Sequence, residues 1–84
     1  MTNSKYNIYD VIGKNIKKYR KLNGITQRKL AESLLLSESF IAKLESITSQ
    51  TISIDTLELI ANKLNTPITY FFDESVMEEK NEKN

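Results

Sequence analysis

The sequence predicts an all-α fold of five short helices. Three observations carry that expectation. Apolar residues recur at spacings of three and four, as in Ile12, Ile16 and Tyr19 or Leu57, Ile60, Ala61 and Leu64. A Ser, Thr or Asp residue stands just before each of four such runs, at Asp10, Thr26, Ser37 and Ser53. The one stretch that alternates like a strand, Thr51-Ile52-Ser53-Ile54, is short and runs into a helix signal.

The elements follow in order. Asp10 is the predicted N-cap of a first helix over residues 10–23, and Gly24 is its stop, because glycine enters the left-handed region cheaply. Thr26 caps a second helix, 27–34, with Leu30, Ala31 and Leu34 inward. Ser37 caps a third, 38–46, with Ile41 and Leu44 inward. Ser53 caps a fourth, 54–64. Pro67 suits the first turn of a fifth, 68–73, whose apolar residues are Ile68, Phe71 and Phe72. From Asp73 the apolar residues thin to Val76 and Met77, which predicts a flexible, acidic tail over 73–84 beyond a domain of 1–72.

Composition narrows the function. The chain has 84 residues, with no cysteine and no histidine. It can bury roughly 60 to 65% of its unfolded surface, enough for one modest core. Disulfides, zinc sites and the usual Cys or His nucleophile and base are excluded, and no metal or cofactor is expected. There is no glycine-rich phosphate loop, so an enzyme is not expected. No apolar run suggests a signal peptide or a membrane span, which predicts a soluble, cytoplasmic protein. The net charge is +1, but it is unevenly spread. Residues 1–72 hold 10 Lys/Arg against 6 Asp/Glu, and residues 73–84 hold 2 against 5. The folded part is therefore mildly basic. Lys14, Lys17, Lys18 and Lys21 on the first helix read as a solvated face.

The informative segment is Thr26 to Glu45. It joins two capped helices, each too short to stand alone, through a tight connection at Leu35-Leu36. The outer face of the second of them is Glu38, Ser39, Ala42, Lys43 and Ser46. A short, polar, exposed helix behind a capped helper helix has the geometry that fits a major groove.

These residues resemble a known family. Thr26-Gln27-x-x-Leu30-Ala31, then Leu36-Ser37, then Ile41 and Glu45, are similar to the phage repressor and Cro type of helix-turn-helix, the xenobiotic-response-element family. The resemblance runs from about Ile12 to Phe72. It implies a lambda-repressor-like, five-helix DNA-binding domain whose helix-turn-helix is formed by helices 2 and 3. It implies that Gln27 binds a DNA phosphate, and that Ser37, Glu38, Ser39 and Lys43 face bases or phosphates. It also implies a partly buried ion pair between Arg20 and Glu45. Arg28 and Lys29, near the helper-helix N-terminus, are further phosphate candidates. Glu38 has two readings: an acceptor for a cytosine amino group, or a charge that complements the helix dipole.

Besides Glu38, unusual at the first recognition position because it must sit near phosphates, the sequence departs from the family pattern in two places. The turn usually carries glycine and here has Leu35, which predicts a strained residue. The loop after Glu45, residues 46–52, has no charge where the family often places basic residues.

By resemblance the chain is a small transcriptional regulator, a repressor or autoregulator of the kind found as restriction–modification controllers, phage repressors or self-repressing antitoxins. The alternative is a protein-interaction module with the same fold and weak DNA binding. One recognition helix spans only a few base pairs, so a homodimer on a two-fold symmetric duplex operator is expected. The candidate dimer residues are Ile47, Ile52, Ile68, Tyr70, Phe71 and Phe72, which together exceed what one small core needs.

Overall fold

The computed structural model describes residues 5–46 and 49–78. The described residues form four α-helices and two 3₁₀ helices and contain no strand. In order these are α1 (Ile8–Leu22), α2 (Gln27–Ser33), α3 (Glu38–Glu45), α4 (Ile54–Lys63), η1 (Ile68–Phe72) and η2 (Glu74–Glu78).

Side-chain capping sets three of the starts as expected. Thr26 accepts from the Lys29 amide at 3.0 Å, Ser37 from Phe40 at 3.0 Å and Ser53 from Thr56 at 3.1 Å. Each satisfies an amide that has no partner inside its own helix. The first start differs from the expectation. Asn7, not Asp10, is the cap of α1, accepting from the Tyr9 amide at 2.8 Å. Asp10 lies in the first turn, where its charge complements the helix dipole, and it accepts from the Ser49 amide at 3.0 Å.

Three helices end in the same way. After α1 the Ile25 amide reaches the Arg20 carbonyl, and the Gly24 amide reaches Lys21. Leu36 to Ala31 with Leu35 to Glu32 repeats the pattern after α2, and Thr66 to Ala61 with Asn65 to Asn62 repeats it after α4. This double bond requires a left-handed residue in between. The three are Gly24, Leu35 and Asn65, at φ of 68°, 57° and 52°. Glycine and asparagine tolerate that region, whereas leucine is strained there by roughly 1 to 2 kcal/mol. Leu35 is also 95% exposed, so its side chain gains nothing from packing. Leu35→Asn is therefore expected to raise stability by about 0.5 to 1 kcal/mol, read as a higher urea midpoint. A lower midpoint would overturn the assignment of strain.

The core lies among the helices. It is built from Ile12 and Ile16 of α1, Leu30 and Ala31 of α2, Ile41 and Leu44 of α3, and Leu57, Ile60 and Ala61 of α4, with Leu64 and Phe71. Gly13 marks the crossing of α1 and α3: a Cβ on it would stand 1.7 Å from the Leu44 carbonyl oxygen.

The C-terminal part revises the expectation. The fifth helix is a 3₁₀ helix after Pro67, so the α-helix count is four. Residues 74–78, read from composition as tail, form a second 3₁₀ helix with Val76 buried. Asp73 starts it by accepting from the Ser75 amide at 2.9 Å, and that bond holds its carboxyl below the usual range. Buried Asn15 ties the segment to α1, donating to the carbonyls of Phe71 and Asp73, each at 3.0 Å. Tyr6 and Lys5 contact Glu78 from the other side. The remainder of the expected tail, 79–84, lies outside the described residues.

Candidate nucleic-acid interface

The site begins with the caps. Ser37 starts α3 by accepting from Phe40, and burial of the apolar residues that follow sets which face of the helix looks outward. Ile41 and Leu44 point into the core and Phe40 packs at its edge. The opposite face presents Glu38, Ser39 and Lys43, all exposed. Ser39 and Lys43 are four apart and so share one side of the helix. From α2, Arg28 and Lys29 are exposed and Gln27 is half-buried.

Two polar networks join these residues. The first is internal. The Arg20 guanidinium donates to the Glu45 carboxylate through Nε at 2.6 Å and Nη2 at 2.8 Å, a bidentate pair. Nη1 donates to the Ile25 carbonyl at 2.7 Å. Both residues are only 7% exposed, so the charges depend on these partners. Hydrogen bonding to Glu45, and then its charge, raise the Arg20 pKa further above its already high value, while burial opposes them. Gln27 completes the network, its Nε2 donating to Glu45 Oε1 at 3.0 Å. A carboxylate only accepts, so the Gln27 amide must turn its nitrogen inward to Glu45. The pair thereby joins α1 to the end of α3, and Gln27 joins the start of α2 to both.

The second network is external. Arg28 Nε lies 3.7 Å from Glu38 Oε1, with side chains 74% and 52% exposed. It bridges the start of α2 and the start of α3. Neither this pair nor the Gln27 bond is visible in the sequence, because each joins residues on different helices with no periodicity between them.

The candidate dimer residues divide. Tyr70 and Phe72 are exposed on η1. Ile52 and Ile68 are half-buried and packed against the core. Phe71 is a correction: it is fully buried, with its ring edge-on to Tyr19 at 5.5 Å, and has no surface to offer a second chain. Ile47 lies outside the described residues. No group of potential metal ligands occurs among the described residues, and no helix there is long and apolar enough to cross a membrane.

A family model described as helix-turn-helix matches residues 16–71. The match spans α2, α3 and α4 whole, with the second half of α1 and nearly all of η1. The chain belongs to this family, the xenobiotic-response-element or lambda-repressor type of helix-turn-helix regulator. It is in general terms a DNA-binding transcriptional regulator. A comparison with curated proteins finds no match.

Proposed function

We propose that the protein is a repressor or autoregulator that binds an operator in duplex DNA through a helix-turn-helix made of α2 and α3. The observation that carries this reading is the outward face of α3. It is polar, rigidly capped at Ser37, and held against α2 by a shared core. Gln27 and one of Arg28 or Lys29 position the protein on phosphates. Glu38, Ser39 and Lys43 read base edges, with Ser37 at their margin.

The working unit in this reading is a homodimer with recognition helices about 34 Å apart. Tyr70 and Phe72 of η1, with Ile54 and Leu59 of α4, favour it. They are large apolar side chains left exposed on two elements that pack together.

The test starts with selection of a binding site from randomised duplexes, followed by titration at several salt concentrations. Ser39→Ala is expected to weaken the selected site by about 1 to 3 kcal/mol and leave random duplex almost unchanged. Phe72→Asp should weaken self-association in sedimentation and operator binding together. A chain that binds no duplex in a salt-dependent manner would overturn the DNA reading. One that stays monomeric and binds one-to-one would overturn the dimer.

A further inference from the structure

Glu38 is the feature that the proposed function leaves least explained. It places a carboxylate on a surface meant to approach phosphates, and it does so within reach of Arg28, one of the few cations there. We infer that Glu38 and Arg28 form an exchangeable pair that makes a cytosine obligatory beneath the start of α3, and that releases Arg28 to a phosphate only when that cytosine is present. This inference rests on the DNA-binding reading above.

The argument starts from donor chemistry. An ionised carboxylate accepts hydrogen bonds and donates none. In the major groove, guanine offers acceptors, thymine an acceptor and a methyl group, and adenine a donor beside an acceptor. Cytosine alone presents a donor amino group with no acceptor of its own beside it. Over guanine or thymine, Glu38 meets an acceptor, loses water and gains no partner, and over adenine the donor comes with the N7 acceptor beside it, so each is less favourable than cytosine.

The pair with Arg28 decides where Glu38 goes instead. The contact is a single 3.7 Å approach between two largely exposed side chains. Such pairs are weak and exchange readily. Over a wrong base Glu38 keeps Arg28, so the protein loses a phosphate contact as well as a base contact. Over cytosine Glu38 turns to the amino group, and the freed guanidinium takes a phosphate. The wrong site is thus penalised twice, which raises discrimination beyond what one base contact supplies.

The test uses the full chain with the Glu38→Gln and Arg28→Ala variants and the double variant. The probes are a randomised duplex library and a bulk random-sequence duplex. Wild type should select a fixed cytosine, favoured about 5- to 150-fold over other bases. Glu38→Gln should lose that requirement. On random duplex Glu38→Gln should bind more tightly, with a salt slope steeper by about 0.9 per protomer. Its advantage should shrink about threefold per protomer between roughly 50 and 200 mM salt. The double variant should return to the wild-type slope.

Arg28→Ala is the sharpest arm. It should lower the slope on the selected duplex by about 0.9 per protomer and lower it by less on random duplex, where Glu38 holds Arg28 back from phosphate. Both side chains are exposed, so all variants should melt like wild type. Equal slope changes on both duplexes, or selection of the same base pair by Glu38→Gln, would overturn the inference while leaving the DNA reading intact. Failure of the wild type to bind any duplex would overturn both.

Discussion

Gly13→Ala is expected to be among the most damaging single substitutions in the protein. The new Cβ would stand 1.7 Å from the Leu44 carbonyl oxygen and 2.8 Å from its carbon. These are backbone atoms of α3 and cannot rotate away. Relief requires α1 and α3 to separate, which opens the core where Ile12 and Ile16 meet Ile41 and Leu44. It also draws Glu45 away from Arg20. Alanine favours a helix over glycine by about 1 kcal/mol, and that gain opposes the clash without matching it. The expected net loss is about 3 kcal/mol or more, at or above the upper end of ordinary overpacking. For a domain of this size that lowers the melting temperature by about 12 to 24 °C. Gly24→Ala is the useful contrast. A Cβ there meets nothing within 4 Å, and only the φ of 68° penalises it, by about 1 kcal/mol. Thermal denaturation followed by circular dichroism should rank the two in that order. A Gly13→Ala protein that melts near wild type would show that the helices are not in such close contact.

The second large effect is expected at the buried ion pair. Arg20→Ala leaves the Glu45 carboxylate with Gln27 as its side-chain hydrogen-bond donor among the described residues, and removes the donor to Ile25. Glu45→Ala strands the guanidinium and the Gln27 amide together. Removal of one partner of a buried pair costs about 3 to 5 kcal/mol, because the other charge stays buried. Each variant should therefore lose far more stability than Lys17→Ala, an exposed change expected within about 0.5 kcal/mol. The double replacement Arg20→Met with Glu45→Leu should lose less than the sum of the two single losses, since it leaves no orphaned charge. Urea unfolding of the four variants measures this. Equal midpoints for Arg20→Ala, Glu45→Ala and Lys17→Ala would show that the pair carries no weight.

Much of the fold was legible because its signals are local. Thr26, Ser37 and Ser53 announce helix starts with one side chain and one amide each, and the spacing of Leu57, Ile60, Ala61 and Leu64 follows from 3.6 residues per turn. Asp10 misled because an acidic residue suits both a cap and a first turn, and Asn7 was already in place to cap. The segment after Pro67 misled because 3₁₀ and α turns share the same short-range apolar spacing. Phe71 could not be separated from Tyr70 and Phe72, since three adjacent aromatics give no clue to which one turns inward. Non-local features were the least legible. Nothing in the sequence says that Gly13 faces a carbonyl of α3, that Gln27 turns to Glu45, or that Arg28 meets Glu38 across the turn. Each depends on how two helices cross, and that is fixed only once the core has packed.

Asn15 has a consequence for the order in which the molecule is completed. Its amide sits in α1, 1% exposed, and its two acceptors lie 56 and 58 residues later in the chain. During synthesis α1 is made before Phe71 and Asp73. Until then this amide cannot be both buried and satisfied, so it must stay in contact with water. A nascent chain can pair α1, α2 and α3 while still attached to the ribosome. The face of α1 that carries Asn15 stays open until Phe71 and Asp73 have emerged and closed over it.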